Sequence, residues 1–221
     1  MSIKSKLFGI AMGLILLPAM AFGASVNVNL KDAQGNAFSD LQGITVRVLD
    51  GTGGLVNEVT SPTSDQVSFS DLSSTESYTI VVKYQKAVEV EQNNTVNVTT
   101  ATTKSLRFAD DTEILNKDFF IGNPVASNVL IRVLRIPSDW TGIKVKLIPV
   151  ESSRLQIDAA NLLFTMTPSN GSAELTVPSM PLARYNWEVS NQDDSSVTVG
   201  SNPKSARDNA TFSFNLEAAK P

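Results

Sequence analysis

Two groups of carboxylates are the residues of this chain whose types and spacing could bind a metal ion. Asp110, Asp111 and Glu113 stand close together in sequence, and Asp193 is followed directly by Asp194. Calcium takes hard oxygen ligands from loops, so both groups are calcium candidates. Neither group has the spacing or the glycine of an EF-hand loop, and solvated loop acids are the plainer interpretation. Calcium is the one cofactor that the sequence suggests.

Carboxylates in pairs could also hydrolyse a glycosidic bond, for which the two groups must lie roughly 5 to 10 Å apart across a cleft. Nothing in the sequence places two acids in this way. The chain contains no cysteine and no histidine. This excludes disulfides, cysteine nucleophiles, Ser-His-Asp triads and histidine metal sites. We therefore expect no catalytic residues and a protein that is not an enzyme.

Three aromatic residues form a second candidate site, a platform for sugar rings. They are Trp140, Tyr185 and Trp187. Tyr185 and Trp187 are two positions apart, so they share one face of a predicted strand, where core packing is the commoner role. Trp140 takes the place of Leu41 in a turn that occurs twice in the chain, and we interpret it as an anchor of that turn. Ligand binding and core packing both remain open for these residues.

The turn that contains Leu41 in the first copy and Trp140 in the second belongs to a longer repeat. Residues 39–49 read SDLQGITVRVL, and residues 138–148 read SDWTGIKVKLI. In both copies a turn ends at a glycine, and apolar residues then alternate with polar ones, as in a half-buried β-strand. A repeat of this kind predicts two copies of one domain. Weak helix signals and turn residues about every ten positions favour a β-sandwich.

The first copy contains four turn-and-strand motifs in a fixed order. They are Asp32-x-x-Gly35-x-x-Phe38, Gly43-Ile44-x-Val46-x-Val48, Thr63-x-Asp65-x-Val67-x-Phe69-x-x-Leu72 and Tyr78-x-Ile80-x-Val82. This series resembles the carboxypeptidase regulatory-like, transthyretin-like (prealbumin-type) β-sandwich. The resemblance covers most of residues 25–108 and, more loosely, residues 127–217. It implies an extracellular or envelope module that serves as a spacer, an adhesive unit or a binding accessory, without catalytic residues.

We predict an all-β fold with two tandem Ig-like, transthyretin-like β-sandwich domains after an N-terminal signal peptide. The signal peptide is assigned to residues 1–23, the first domain to 24–108, an inter-domain connection to 109–126 and the second domain to 127–221. The connection is too apolar for a free linker, so it is expected to pack at the domain junction or to add an edge strand.

The end of the first domain is predicted to contain three separate strands. Tyr78 to Val82 is the first of them. Two more are suggested by the valines at positions 88 and 90 and at positions 96 and 98, on either side of the turn-prone pair Asn93-Asn94. In the second copy, Leu155 and Ile157 predict a short strand.

The N-terminus has the organisation of a secretory signal peptide. Lys4 and Lys6 precede an apolar run from Leu7 to Leu17, and small residues follow Pro18. An apolar run of this length rises about 16 Å as a helix, too little for the roughly 30 Å core of a bilayer. We therefore expect export to the periplasm or the cell exterior, with no transmembrane segment in the mature chain.

Composition limits the partners. The chain is 42% hydrophobic and 18% charged, as is usual for a folded globular protein. Its net charge is −4. Loss of Lys4 and Lys6 with the signal peptide would leave 16 basic residues against 22 acidic ones, a net charge of −6. Without clustered lysine and arginine, the chain is not expected to bind nucleic acid.

Three functions are compatible with these observations. The favoured one is a non-catalytic structural or adhesive protein of the cell envelope, the extracellular matrix or a filament, with a protein or a polysaccharide as partner. Self-association could add the strand Ala24 to Leu30 to a neighbour's sheet, unless this strand pairs inside its own domain. The second function is a carbohydrate- or peptide-binding accessory protein. The third is a periplasmic chaperone of pilus subunits, although the basic anchoring residues of such chaperones are not recognisable here.

Overall fold

Short alternating segments of the sequence form β-strands throughout the structure, a computed structural model that describes residues 23–91, 94–150, 152, 155–193 and 197–216. The predicted signal peptide lies outside the described residues, apart from Gly23. Fifteen strands and no α-helix occur in the described part, which confirms the predicted all-β class. The strands are β1 (Ala24–Lys31), β2 (Ile44–Asp50), β3 (Leu55–Thr60), β4 (Gln66–Leu72), β5 (Ser77–Glu91), β6 (Asn94–Arg107), β7 (Ile114–Phe120), β8 (Val125–Leu134), β9 (Ile143–Val150), β10 (Leu155–Ile157), β11 (Leu162–Met166), β12 (Ser172–Pro181), β13 (Arg184–Asn191), β14 (Val197–Ser205) and β15 (Thr211–Asn215).

The first domain is a sandwich of two sheets. One sheet has the strand order β4-β1-β7, and the other has the order β10-β6-β5-β2-β3, in which β10 comes from the second domain and the other four strands from the first. Every second residue of β1 and of the start of β2 is buried, because alternate side chains of a strand point to opposite faces of the sheet. These buried side chains are Ala24, Val26, Val28, Leu30, Ile44, Val46 and Val48.

The second domain repeats this topology strand for strand. Its sheets have the orders β12-β8-β15 and β14-β13-β9-β11. In each domain the last strand runs parallel to the first, β7 beside β1 and β15 beside β8. Ile44 begins β2 and Ile143 begins β9, so the two copies of the repeated turn occupy equivalent places. The chain therefore consists of two tandem β-sandwich domains.

A glycine comes directly before β2 in the first domain and before β9 in the second, and both glycines accept an equivalent hydrogen bond. The carbonyl of Gly43 accepts a bond of 2.9 Å from the backbone N–H of Gln85, and the carbonyl of Gly142 accepts one of 2.9 Å from Gln192. A Cβ atom at Gly43 would lie 1.9 Å from the backbone oxygen of Gln85. This close approach of two backbones explains why the repeated turn ends at glycine.

Residues 109–126, predicted as an inter-domain connection, contain the strand β7. Ile114–Phe120 pairs in parallel with β1, from Ser25 opposite Ile114 to Lys31 opposite Phe120. The strand supplies Phe119, which is fully buried in the first core. The first sandwich thus includes residues beyond position 108 as an edge strand.

The opening strand does not have a free edge for a neighbouring chain. Over Val26–Asn29, β1 pairs with β4 on one side and with β7 on the other. A central strand has already used its backbone hydrogen-bonding groups in both directions. Of the two possibilities for Ala24 to Leu30, addition to a neighbour's sheet or pairing inside its own domain, the structure therefore shows the second.

The strands β5 and β6 correct the expectation of three separate strands at the end of the first domain. β5 runs without a break from Ser77 to Glu91, and β6 runs from Asn94 to Arg107. They form one antiparallel hairpin in which Tyr78 is opposite Leu106 and Val88 is opposite Val96. The alternation of buried side chains that begins at Tyr78 continues through Val90. Val88 and Val90 therefore extend the first predicted strand, and Val96 and Val98 lie on β6.

Candidate functional site

The far end of this hairpin leaves the first domain and packs into the second. We call residues 86–91 and 94–98 the arm. Its buried side chains are Val88, Val90, Val96 and Val98, with exposed fractions of 0 to 6%, and they belong to the hydrophobic cluster of the second domain. The strand β5 lies against β12 at this contact. The first domain thereby contributes part of the second domain's core.

A short strand of the second domain holds the arm in place. β10 pairs with β6 in antiparallel register, with Leu155 opposite Thr100 and Ile157 opposite Val98. The predicted short strand at Leu155 and Ile157 therefore exists, but it extends a sheet of the first domain. The backbone N–H of Asp158 continues the pairing with a bond of 3.1 Å to the carbonyl of Asn97.

The side chain of Asp158 completes a clasp with Asn97. Its Oδ1 accepts the backbone N–H of Asn97 at 2.7 Å, and its Oδ2 accepts the Nδ2 amide of the same residue at 2.7 Å. Hydrogen bonds to a charged acceptor are shorter and stronger than bonds between neutral groups. The clasp therefore fixes the arm at the point where it enters the second domain.

Three cavities meet at Leu155, beside the clasp. Their volumes are 390, 140 and 460 Å³. Val150 and Leu182 line them and keep 39% and 41% of their surface exposed. Asp158 is the one carboxylate among the described lining residues, and both of its oxygens are engaged by Asn97. The junction therefore offers a mixed surface, in which the apolar Val150, Leu155 and Leu182 lie beside polar lining residues such as Gln156 and Arg184. The described lining residues contain no carboxylate pair for hydrolysis.

The first group of predicted calcium ligands binds the protein's own backbone. Oδ1 of Asp110 accepts bonds from the N–H and hydroxyl of Thr112 at 2.8 and 2.6 Å. These bonds lower the pKa of Asp110. Oδ1 of Asp111 accepts the N–H of Ser74 at 2.8 Å, and this bond lowers the pKa of Asp111. Glu113 accepts the N–H of Ala109. Asp110 and Glu113 thus stabilise the turn that leads into β7, and Asp111 joins this turn to the loop between β4 and β5.

The second group of acids is only partly described. Asp193 accepts a hydrogen bond from the hydroxyl of Thr141, which joins two loops at one end of the second domain. Asp194 lies outside the described residues. Among the described residues, no three acidic side chains come together as a metal-binding group. Calcium binding by either group stays a prediction.

The structure separates the three aromatic candidates. Tyr185 is fully buried and donates its hydroxyl to the carbonyl of Pro181 at 2.8 Å, and burial raises its pKa. Trp187 packs on Phe214 with ring centroids 4.5 Å apart. Trp140 is partly buried against the same core. Because the ring of Tyr185 is inside the core, the three residues do not form a common exposed platform. Ligand binding by Trp140 and Trp187 stays a prediction.

The residues that join the domains were not recognised in the sequence. One signal was present: apolar or aromatic residues occupy every second position from Tyr78 to Tyr84 and again at Val88 and Val90, with one lysine between. Alternation that keeps the same phase from Tyr78 to Val90 indicates a single strand longer than one sandwich needs. No sequence signal links Asn97 to Asp158, because their contact depends on the placement of two domains.

Comparisons with known proteins support the fold. Neither the protein-family models nor the curated proteins contain a match. A streptococcal ancillary pilin has a similar structure, with a TM-score of 0.50, 9% identity, and coverage of 89% of this chain and 63% of that protein. At this identity the similarity shows the β-sandwich fold alone.

Two other structures have lower scores. The Bacillus anthracis TIE protein has a TM-score of 0.34 and 7% identity, over 87% of this chain and 34% of that protein. A shaft pilin from Lactobacillus rhamnosus GG has a TM-score of 0.30 and 10% identity, over 86% of this chain and 96% of that protein. The chain thus spans about a third of the TIE protein and 63% of the ancillary pilin. Membership of the carboxypeptidase regulatory-like family stays a prediction.

None of the described residues belongs to a helix with the length and apolar character needed to cross a bilayer.

Proposed function

We propose that this chain is an exported, non-catalytic structural and adhesive protein of the cell envelope, the extracellular matrix or a surface filament. The observation that carries the proposal is the arm, because its four valines make one domain a structural part of the next. A protein that must transmit force or hold two surfaces apart needs restricted motion between its domains. Two sandwiches joined by a shared core and a clasp meet this need.

The likeness to an ancillary pilin supports the proposal at the level of fold. In the proposal, residues 1–23 direct export and are removed, and the mature chain acts in the periplasm or outside the cell. Its partners are proteins or polysaccharides of the envelope or matrix. Calcium, if it binds, has a structural role at the loop acids.

Expression of the full sequence in a bacterial host tests export. Mass spectrometry of the mature protein should find a new N-terminus near Gly23, and fractionation should recover the protein outside the cytoplasm. Retention of residues 1–23 in a cytoplasmic protein would contradict the proposal.

Size-exclusion chromatography with light scattering, with and without calcium, tests assembly. We expect oligomers or filaments that grow with concentration, and electron microscopy should show their form. A monomer at every concentration would contradict the filament version and leave the version in which a single chain is adhesive.

A second candidate function is a peptide-binding accessory protein. The cavities around Leu155, with exposed Val150 and Leu182, favour it, because ligand sites are frequent at domain interfaces. Substitution Leu182→Asp should abolish peptide binding in this case and should leave export and assembly unchanged.

A further inference from the structure

The outer face of the sheet β4-β1-β7 carries two rows of hydrogen-bonded polar side chains. We call this surface the ladder face. In the first row, the Ser68 hydroxyl donates to Oδ1 of Asn27 at 2.8 Å, and Nδ2 of Asn27 donates to Oδ1 of Asn116 at 3.0 Å. Each row crosses all three strands, because the register places the three residues side by side.

The second row repeats the first two positions further along the strands. Nε2 of Gln66 donates to Oδ1 of Asn29 at 2.9 Å, and Nδ2 of Asn29 donates to Oδ1 of Asp118 at 2.8 Å. Neighbouring rows on one face of a sheet are roughly 7 Å apart, and neighbouring strands are about 4.8 Å apart. The ladder face is therefore a regular array of oriented polar side chains. They are the amides of Asn27, Asn29, Gln66 and Asn116, the hydroxyl of Ser68 and the carboxylate of Asp118.

The array retains hydrogen-bonding capacity toward solvent. An asparagine side chain has two N–H donors and an oxygen that can accept two bonds. The bonds within a row use one N–H and one acceptor position of Asn27 and of Asn29. Each amide therefore has one further donor and one further acceptor in an orientation that the row fixes, which lowers the entropic cost of binding a ligand.

Exposed apolar side chains lie at the two ends of the ladder face. Ile114 is 61% exposed opposite Ser25, and Phe120 is 53% exposed opposite Lys31. Along β7 these two residues are about 20 Å apart. A protein–protein interface usually has an apolar centre and a polar rim. The ladder face has the reverse arrangement, with amides at the centre and apolar residues at the ends.

The equivalent face of the second domain has different chemistry. Its central strand β8 presents Leu130, Arg132 and Leu134 in place of the amides, and Arg132 forms an ion pair with Glu174 of β12. Both sheets have the same order and parallel partner. The fold therefore does not require amides at these positions, and the ladder face needs another explanation.

We propose that the ladder face binds a neutral polysaccharide. Sugar hydroxyls are uncharged and both donate and accept, which matches the spare donor and acceptor of each amide. The apolar C–H surface of a sugar ring can cover the exposed ring of Phe120, whose burial favours binding. A chain of sugars lying along β7 would contact both rows and reach Phe120. This inference rests on the proposed surface role and gives its adhesive part a site.

Affinity electrophoresis of the purified mature protein in gels containing dextran, mannan, xylan or a soluble β-glucan tests the proposal. We expect retardation by at least one of the four polymers. The variant Asn27→Ala/Asn29→Ala should weaken that binding about tenfold or more, and Phe120→Ser should weaken it about fivefold. The matched control Thr211→Ala/Ser213→Ala, on the equivalent face of the second domain, should bind like the unaltered protein.

Phe120→Ser changes an exposed side chain and keeps the test valid if the double variant folds poorly. Binding of none of the four polymers would overturn the proposal, and so would unaltered binding by both variants of the ladder face. Capture of an envelope protein in place of a polymer, lost in the same variants, would also overturn it. An exported protein that assembles but binds no polysaccharide would refute this inference alone and leave the proposed function standing.

Discussion

The two domains share one strand order but differ in the length of one hairpin. The first domain's hairpin has strands of 15 and 14 residues, whereas the equivalent strands β13 and β14 have 8 and 9. The extra length of the first hairpin is the arm. In the described residues, the first core contains side chains of its own domain alone, whereas the second core contains four valines of the first. Apolar side chains therefore cross the junction in one direction, from the first domain into the second core, while β10 of the second domain extends a sheet of the first.

This asymmetry assigns different roles to the two copies. Burial of a valine contributes about 1.5 kcal/mol or more, so the four valines contribute on the order of 6 kcal/mol, an upper estimate because the unfolded chain is partly compact. This is comparable to the whole free energy of unfolding of an ordinary domain. The core of the second domain is thus completed by residues of the first.

The largest expected effect comes from a charge in the arm. Val98→Asp places a carboxylate in the second core without a partner, and we expect a loss of about 3–5 kcal/mol. Both tryptophans, Trp140 and Trp187, belong to the second domain. Urea unfolding followed by tryptophan emission therefore detects the effect in the domain that does not contain the substitution.

Val56→Asp is the matched control for this substitution. Val56 is 46% exposed on the edge strand β3 of the first domain, so the change should cost less than about 0.5 kcal/mol. An equal effect of the two substitutions on tryptophan emission would show that the arm is not part of the second core.

The repeated glycine distinguishes the two domains at a smaller scale. Gly43→Ala would place a methyl group 1.9 Å from the backbone oxygen of Gln85, and Gly142→Ala would place one 2.0 Å from the side-chain oxygen of Gln192. A backbone cannot move away as a side chain can. We expect a loss of about 2 kcal/mol at Gly43 and less than about 1 kcal/mol at Gly142. Thermal unfolding followed by circular dichroism measures both, and the reverse order would contradict the backbone contact.

A swap of two residues tests the clasp. Asp158→Asn brings two amide groups together, and Asn97→Asp brings two carboxylates together, so each change should cost about 1–2 kcal/mol. The double variant Asn97→Asp/Asp158→Asn restores a donor opposite an acceptor and should recover most of that loss. Additive losses in the double variant, measured by urea unfolding, would show that these side chains do not interact.

Acid gives the smallest expected effect. Hydrogen bonds from Thr52 and Gly54 lower the pKa of Asp50, and bonds from Thr112 lower the pKa of Asp110; the ordinary value is 3.8. An acid whose pKa is lowered by folding stabilises the fold at pH values above its ordinary pKa. This stability is lost as the pH falls through the lowered pKa of the folded state.

As the pH falls from about 5 to 2, the first domain should therefore become less stable. The urea concentration at which tryptophan emission shows half of the second domain unfolded should fall as well, because the second core includes residues of the first domain. The variant Asp50→Asn/Asp110→Asn should show a smaller fall over the same range in urea titrations. A fall of the same size in the variant would exclude these two turns as its cause.

The sequence predicted the tandem sandwiches because that information is local. Apolar and polar residues alternate in each strand, the turns contain turn-forming residues such as glycine and aspartate, and the repeated glycine marks equivalent positions in the two copies. The junction was not predictable, because Val88 and Val98 alternate in the same way whether they cover their own domain or the next. An edge strand in the connection was one of the two predicted alternatives, but its parallel pairing with β1 was not predicted, because the residues of a strand do not determine which strand pairs with it. The ladder face could not be predicted either, because it depends on the pairing register of three strands that are distant in sequence.

The most direct test of the dependence of the second domain on the first is a shortened arm. Residues 86–98 are replaced by Asn-Gly, so that Gln85 and Thr99, which already pair, end a hairpin like that of β13 and β14. Tryptophan emission in urea then measures the second domain. The account predicts that its midpoint falls well below that of the unaltered chain, and an unchanged midpoint would show that the second sandwich folds without the arm.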